Sequence, residues 1–492
     1  MTDAFMLLGE TPRQTLQMAS VSILAPPAEG EPPLTRQVLR DLVAERIHLA
    51  PALCRKLAHV PLGLDYPYWV EDPDLDIDYH VRDLALPAPG SDRQLAEKVA
   101  QIVPQRLDHS RPLWELYVIE GLEGGRVAVV FKLHHAAFDG ISGLELHEML
   151  FDGSPKGRQV PPRAAAPEER LPSDWAMLGR GLASLPGQPV RALRSTARSL
   201  PYLDHLMPFR ITPGIGTVSR NTRRLGRLLR VGGEGMSLEG ESLRVPSTVF
   251  DQPITPHRRW AFTQVPLDEA KRIKQHFDVT LNDVVVATMA GAVREFLQER
   301  DELPEDPLVA LVPVSVRERD AKPGTNQVEA LLIPVPTDEE SPERRLMRTH
   351  ETLRRAKERH RAVPAGAMRG AGELVMPALF IRASRAASLV GSLGGASANL
   401  VISNVPGPSK AVYLAGARVE ALYPVGGLME GMGINTVVFS YGDWLDLGFL
   451  VDRDSPVDPW RLADAFKRSQ RELVALAPRR RSARRAVEPA GA

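Results

Sequence analysis

The stretch Leu133-His134-His135-Ala136-Ala137-Phe138-Asp139-Gly140 carries the densest chemistry in the chain. Imidazole is the side chain whose ordinary pKa lies near neutrality, so a histidine delivered at a strand end suits general-base work. Asp139, four residues after His135, can pair with an arginine and brace the loop, or it can orient a ring. Gly140 permits a turn that residues with a Cβ adopt only under strain. The bland alternative is two histidines satisfied by core hydrogen bonds. Against it, His-His-x-x-x-Asp-Gly arises by chance in a chain of this length only about once in a thousand. Adjacent strand residues face opposite sides, so the pair cannot easily share one zinc ion, and no metal is expected. The same alternation sends only one ring into a given cleft. No Gly-x-Ser-x-Gly elbow occurs, and the single cysteine, Cys54, has no motif around it. The residues therefore give no sign of a serine or cysteine nucleophile.

The elements that must position these groups are legible around them. Arg126 to His135 (RVAVVFKLHH) is a β-rich run that ends on the two histidines, and Trp114 to Leu122 is a second. Glu123-Gly124-Gly125 between them is a hairpin signal. Apolar spacing predicts helices over Arg36 to Ile47, Leu95 to Val103 and the segment LELHEMLF after Gly143. Farther on, Arg259 to Val265, Leu308 to Val316, Leu400 to Val405, Asn435 to Tyr441 and Leu445 to Val451 read as strands. Leu281 to Leu297 reads as a buried helix and Pro342 to Arg361 as a charged, solvated one. The coarse architecture is α/β (α+β): a unit over 1–155, a Pro/Gly/Arg-rich crossover over 156–255, a second unit over 256–477 and a disordered tail over 478–492.

Composition limits the classes. The chain has 492 residues, 43% hydrophobic and 25% charged, which fits a globular protein with ample core. Lys+Arg and Asp+Glu are 61 each, which argues against general nucleic-acid binding. One cysteine excludes an internal disulfide scaffold. No apolar run is long enough to span a bilayer, and the acidic start MTDAFMLLGETPRQ is not expected to be a signal peptide. Residues 151–250 hold 15 Lys+Arg against 8 Asp+Glu, a net of +7. Trp175 to Leu185 and Val190 to Leu200 within them have the pattern of short basic amphipathic helices. The segment reads either as a solvated linker or as a surface that rests on anionic headgroups.

HHAAFDG resembles the HHxxxDG motif of the chloramphenicol acetyltransferase-like superfamily, and the bacterial wax ester synthase/diacylglycerol acyltransferases are the most similar of its branches. Ser110-Arg111-Pro112-Leu113-Trp114-Glu115 resembles their PLW motif and Leu281-Asn282-Asp283-Val284 their ND motif. Pro313 to Arg317, Gly324 to Gln327 and Ile402 to Pro408 resemble their PVSxR, GNQ and SNVPGP stretches, in the same order. Gly324-Thr325-Asn326 departs from the direct Gly-Asn of the family and predicts a local loop difference.

The resemblance implies two chloramphenicol acetyltransferase-like domains in one chain, with one active site in a tunnel between them. It implies His135 as general base, His134 as support for the loop and Asp139 as a structural residue paired with an arginine. Asn404 and Asn282 are candidate oxyanion donors by motif position alone. Each also has a plainer reading: Asn282-Asp283 as a helix cap, Ser403 to Pro408 as a rigid turn, and Pro112-Leu113-Trp114 as a core tryptophan starting a strand rather than a tunnel wall. The glycine-rich Gly426 to Gly433 reads as a flexible turn set against an acyl chain. The activity implied is transfer of a long-chain acyl group from acyl-CoA to diacylglycerol, without a cofactor. Fatty alcohol is the alternative acceptor. A carrier-dependent condensation enzyme and a non-catalytic lipid-binding or droplet-coat protein are the other readings. The expected place is cytoplasmic, peripheral to the inner membrane or lipid droplets.

Overall fold

The structure is a computed structural model and describes residues 7, 10–27, 29, 32–138, 143–162, 173–188, 217–219, 221–222, 224, 243–315, 328–361 and 398–478. Its strands are β1 Gln17–Leu24, β2 Arg55–Ala58, β3 Tyr68–Glu71, β4 Val81–Ala85, β5 Trp114–Glu120, β6 Val127–His134, β7 Arg258–Pro266, β8 Leu308–Ser315, β9 Val328–Val335, β10 Leu400–Pro406, β11 Tyr413–Leu414, β12 Ala417–Val425, β13 Ile434–Tyr441 and β14 Trp444–Asp452. The α-helices are α1 Arg36–Arg46, α2 Ile77–His80, α3 Asp92–Ile102, α4 His135–Phe138, α5 Gly143–Leu150, α6 Asp174–Ser184, α7 Leu267–Phe277, α8 Leu281–Gln298, α9 Pro342–Arg361 and α10 Pro459–Leu476.

Every residue of β6 is buried, the pattern of a central strand covered on both faces. It sits inside a six-stranded sheet of order β11-β12-β1-β6-β5-β4. The expected hairpin joins β5 to β6, and Gly124 and Gly125 supply its left-handed turn with φ of 75° and 72°. The second sheet has the order β7-β14-β13-β10-β8-β9, with β10 parallel to both β13 and β8. Helix α8 lies in the core of this unit, with Val284 through Val293 almost wholly shielded. Helices α9 and α10 pack against it.

Seven strands were absent from the sequence expectation (β1 to β4, β9, β11 and β12), and two of them matter most here, because β1 pairs with the histidine strand and β12 with β1. β1 is rich in small residues, and β12 (ARVEALYPV) carries two charges and a proline, so neither shows a clean two-residue alternation. β12 comes from the second half of the sequence, yet it pairs with β1 in the first sheet. The units are therefore interlocked: order along the chain is not order in space. Val190–Leu200 and the tail beyond 478 lie outside the described residues.

The sheets meet where β14 passes β12. A Cβ at Gly448 would stand 1.8 Å from the Pro424 carbonyl oxygen, so only glycine fits. Tyr423 packs its ring 4.3 Å from that of Phe262. Beside them Asp446, fully buried, accepts from Leu422 N at 2.6 Å and from Gln264 Nε2 at 2.8 Å. Burial pushes its carboxyl up from 3.8 to about 6, against those two hydrogen bonds. A carboxyl that holds its proton longer when folded gives stability that is full below the unfolded value and falls as pH rises from about 4 to 6. In Asp446→Asn, thermal unfolding should lose that slope and gain on the order of 2 kcal/mol at pH 7.5. Melting curves across this pH range check it; an unchanged slope would assign the titration to another group.

Candidate active site

The two histidines are held by backbone bonds from two different directions. His134 ends β6 opposite Gln17, and its N–H donates to Leu113 O at 3.0 Å. His135 begins the short helix α4, and its N–H donates to Leu16 O at 3.0 Å. The change from strand to helix between them separates their fates. The His134 ring is 0% exposed. Its Nδ1 accepts from Ala136 N at 3.0 Å, and its Nε2 lies 3.1 Å from Glu10 Oε1. A neutral ring that accepts at Nδ1 carries its proton at Nε2, which faces the carboxylate. His134 thus has a hydrogen bond at Nδ1 and a carboxylate facing Nε2. His135 is only half-buried. Asp139 and Gly140 lie outside the described residues.

Buried polar groups brace the floor below. Lys132, one strand pitch before His134, pairs with Glu115 Oε2 at 3.3 Å and donates to Gln105 O. Burial pushes the Lys132 ammonium down, while Glu115 opposes the shift. Tyr117 Oη also donates to Glu115 at 2.7 Å, and burial, the Glu115 charge and this bond push the phenol well above its ordinary value. The Gln17 amide, with its nitrogen turned toward the carbonyls, donates to Val103 O (3.0 Å) and Gln105 O (2.6 Å) and accepts from Leu107 N (2.9 Å). These bonds seat the loop that leads to His109 and then to Pro112-Leu113-Trp114. Downstream of the motif, Arg46 Nη1 holds Asp152 Oδ2 at 2.9 Å in a buried pair, which ties α1 to the segment after α5.

The other predicted residues fall in two groups. Pro112, Leu113 and Trp114 stand beside the histidines: Leu113 holds His134 through its carbonyl, and Trp114 is a core residue that begins β5. The indole Nε1 donates to Leu53 O at 2.8 Å, and the ring stacks on His80 at 4.3 Å. Asn282, Asp283 and Asn404 belong to the second unit. Thr280, two residues earlier than Asn282, is the cap of α8, and Asp283 completes the capping box by accepting from Thr280 N at 2.8 Å. Asp283 Oδ2 also lies 2.6 Å from His350 Nδ1. Asn282 itself takes no part in the cap. Asn404 is half-buried inside β10, and the strand runs on to Pro406 rather than ending in a turn at Ser403. Just past the strand Gly407 runs close to Ser440, whose carbonyl oxygen would stand 2.4 Å from a Cβ there. The stretch Gly426 to Gly433 is not loosely attached: Glu430 N donates to Gln14 Oε1 at 2.9 Å, and Asn435 Nδ2 donates to Gly427 O. Residues 316–327, with the GNQ-like segment, lie outside the described residues. Sequence reasoning missed Glu10, Gln17, His109 and Lys132. His109, three residues before Pro112, is the one a motif search could have reached.

A two-sheet fold with an interlocking strand and an HHxxxDG strand end defines an acyltransferase of the chloramphenicol acetyltransferase-like type. Comparisons with known proteins narrow the class. Residues 1–285 match the wax ester synthase/diacylglycerol acyltransferase catalytic domain and residues 324–474 the WS/DGAT C-terminal domain. A Mycobacterium tuberculosis protein named as a candidate diacylglycerol O-acyltransferase, Rv1760, is 33% identical over 477 residues, covering 96% of this chain and 89% of its own length. Rv3480c, similarly named, is 32% identical and covers 94% of each chain. The solved wax ester synthase/diacylglycerol acyltransferase from Marinobacter aquaeolei VT8 superposes with a TM-score of 0.66 at 26% identity, covering 97% of this chain and 98% of that one. The first condensation domain of the calcium-dependent antibiotic synthetase, at 16% identity and a TM-score of 0.53 over 96% and 94% of the two chains, shares the fold. The chain belongs to the wax ester synthase/diacylglycerol acyltransferase family and is an acyltransferase.

Replacing Trp114 with Phe keeps the ring volume near and removes the bond to Leu53 O. Stability should fall by about 1–3 kcal/mol, the size of a buried carbonyl left unpaired. Denaturant unfolding measures it; a change below about 0.5 kcal/mol would mean that the carbonyl finds another donor.

Proposed function

We propose that the protein transfers a long-chain acyl group from acyl-CoA to the free hydroxyl of diacylglycerol, giving triacylglycerol, with His135 as general base. The observation that carries the base assignment is the division between the two histidines: His134 is sealed, with a hydrogen bond at Nδ1 and a carboxylate facing Nε2, whereas His135 is half-buried at the start of a helix. In this reading His135 takes the hydroxyl proton as the oxygen attacks the thioester carbonyl. The tetrahedral intermediate collapses with cleavage of the C–S bond, and His135 returns the proton to the departing thiolate. No covalent acyl-enzyme and no cofactor enter. Asn404 and Asn282 remain the candidate donors to the oxyanion, and Asp139 the brace of the loop. The diacylglycerol acceptor is supported by the names of the mycobacterial relatives. Fatty alcohol is the second reading, favoured by the wax ester synthase name of the Marinobacter structure. The chemistry is the same and only the acceptor differs.

Both substrates partition into lipid, and no helix among the described residues is long and apolar enough to cross a membrane. We place the contact on α6 and its surroundings. Trp175 is 81% exposed, Leu182 52% and Leu62 83%, while Met177 and Gly181 turn inward and Gly181 packs on Val60 and Leu64. An outward apolar stripe within a segment of net charge +7 has the chemistry of an anionic lipid surface: insertion by the tryptophan, attraction by the arginines.

Three measurements test this reading. Purified protein given palmitoyl-CoA with diacylglycerol, monoacylglycerol or hexadecanol should release thiol only with an acceptor. Mass spectrometry should find triacylglycerol as the main product; dominant wax ester would select the second reading. His135→Ala should lose about 100-fold or more of turnover with its melting temperature kept, and near-normal turnover would refute the base. Trp175→Ser with Leu182→Ser should abolish flotation with anionic vesicles while leaving soluble thioester turnover intact. Unchanged flotation would move the contact elsewhere.

A further inference from the structure

The segment before β1 does more than lead into a strand. Glu10 has a fully shielded side chain. Its Oε1 accepts from Leu16 N at 3.0 Å and lies 3.1 Å from His134 Nε2. Its Oε2 stands 3.4 Å from both His109 Nε2 and Arg106 Nη2. A turn from Thr11 to Gln14 brings the chain back, with Thr11 N donating to Gln14 O at 2.9 Å and Thr11 Oγ1 accepting from Gln14 N at 3.0 Å. The same Leu16 whose N–H is bound by Glu10 gives its carbonyl to His135 N. One carboxylate therefore holds the ring of the first histidine, and through a single residue it holds the backbone of the second. We propose that Glu10 is a positioning residue for acyl transfer, acting through His134 and Leu16 to set the place of His135; this rests on the reading of His135 as general base.

Charge and burial agree with the geometry. Burial alone would raise the Glu10 carboxyl, but hydrogen bonds from His109, His134 and Leu16 N outweigh it and hold the group far below the ordinary carboxylate range. Glu10 is an anion at any working pH. His109 closes the cluster, its ring set edge-on to His134 with centroids 5.9 Å apart.

The same three groups present donor atoms within 4.8 Å of one another, the reach of a metal site. The Ala136 bond argues against that use. A cation on His134 Nε2 would need that lone pair while Nδ1 still accepts a backbone N–H, which leaves a ring with no proton at all. The Glu10 carboxylate 3.1 Å from Nε2 gives the ring's remaining proton a place without a cation.

Glu10→Gln tests the role, because it keeps shape and removes charge. Turnover should fall about 10- to 100-fold, as for other groups that orient a functional ring, while KM for acyl-CoA stays within about 3-fold. The acidic limb of the pH–rate profile should move to lower pH, since an anion that favours imidazolium has gone. The double variant Glu10→Gln/His135→Ala should be no slower than His135→Ala alone, because a positioning residue has nothing left to position. Multiplying losses would overturn the proposal, as would an altered KM with kcat unchanged. If His135→Ala keeps its turnover, the base reading fails; a kcat loss in Glu10→Gln would then reach the reaction by another route, and the proposal as stated falls with it. If His135→Ala is inactive and Glu10→Gln is fully active, the base reading stands and only the Glu10 role is lost. Should Glu10→Gln not fold, Glu10→Asp keeps the charge, shortens the reach and must show the same kcat loss and the same non-additivity. Turnover removed by EDTA and restored by zinc would replace the proton with a metal and overturn the assignment.

Discussion

The backbone of the paired histidines is held in place by two carbonyls from opposite neighbours of one strand. Leu113 O takes the N–H of His134, and Leu16 O takes that of His135. Both acceptors lie at the entrances of strands that flank β6, so the antiparallel register of the sheet is what brings them to the histidines. A slip of one residue in either pairing would exchange the buried and outward faces at the strand end. The ladder is thus what sets the histidine strand end. The remaining polar groups, from Lys132 with Glu115 to the Gln17 amide, are what a buried floor needs once it carries charge and carbonyls that no strand partner satisfies.

The register depends in turn on the interlock of the two halves. β1 is held between β6 and β12, and β12 belongs by sequence to the other unit. The close passage of Gly448 under Pro424, the Phe262–Tyr423 contact and the Asp446 bond to Leu422 N pin β12 against the second sheet. Displacing the second unit would therefore pull on the strand that carries Leu16. A fold built this way links the stability of one half to the geometry of the histidine strand end in the other.

Much of this was readable in the sequence because its signals are local. The β5–β6 hairpin follows from two apolar runs and a Glu-Gly-Gly turn, α8 from seventeen residues of apolar character, and the histidine motif from fixed spacing. What escaped is non-local or lacks periodicity. Nothing in ARVEALYPV says that it pairs with QMASVSIL, some four hundred residues earlier, rather than with its own neighbours. Glu10 lies 124 positions before His134 in the sequence and belongs to no motif; only the return of the chain through Thr11–Gln14 brings them together. Asp283 shows the intermediate case. Its type and place before an apolar run announced a cap, yet the cap is Thr280 and Asp283 answers it from three residues on. Composition tells that a helix starts there, while reciprocal hydrogen bonding decides which residue starts it.

The paired histidine then has a physical reading that does not depend on precedent. The chain leaves β6 at His134 and turns helical at His135, so the first ring continues the inward alternation of the strand and the second escapes it. An inward ring at a strand end must satisfy two nitrogens without water. His134 has the amide of Ala136 on one side and a carboxylate on the other. That arrangement makes it valuable as a post: its Nδ1 is taken by a backbone N–H, its Nε2 faces a carboxylate, and its position is fixed by the same strand end that presents its neighbour. Two adjacent histidines thus stand in different surroundings, one sealed and one half-buried, and the boundary between strand and helix is what divides them.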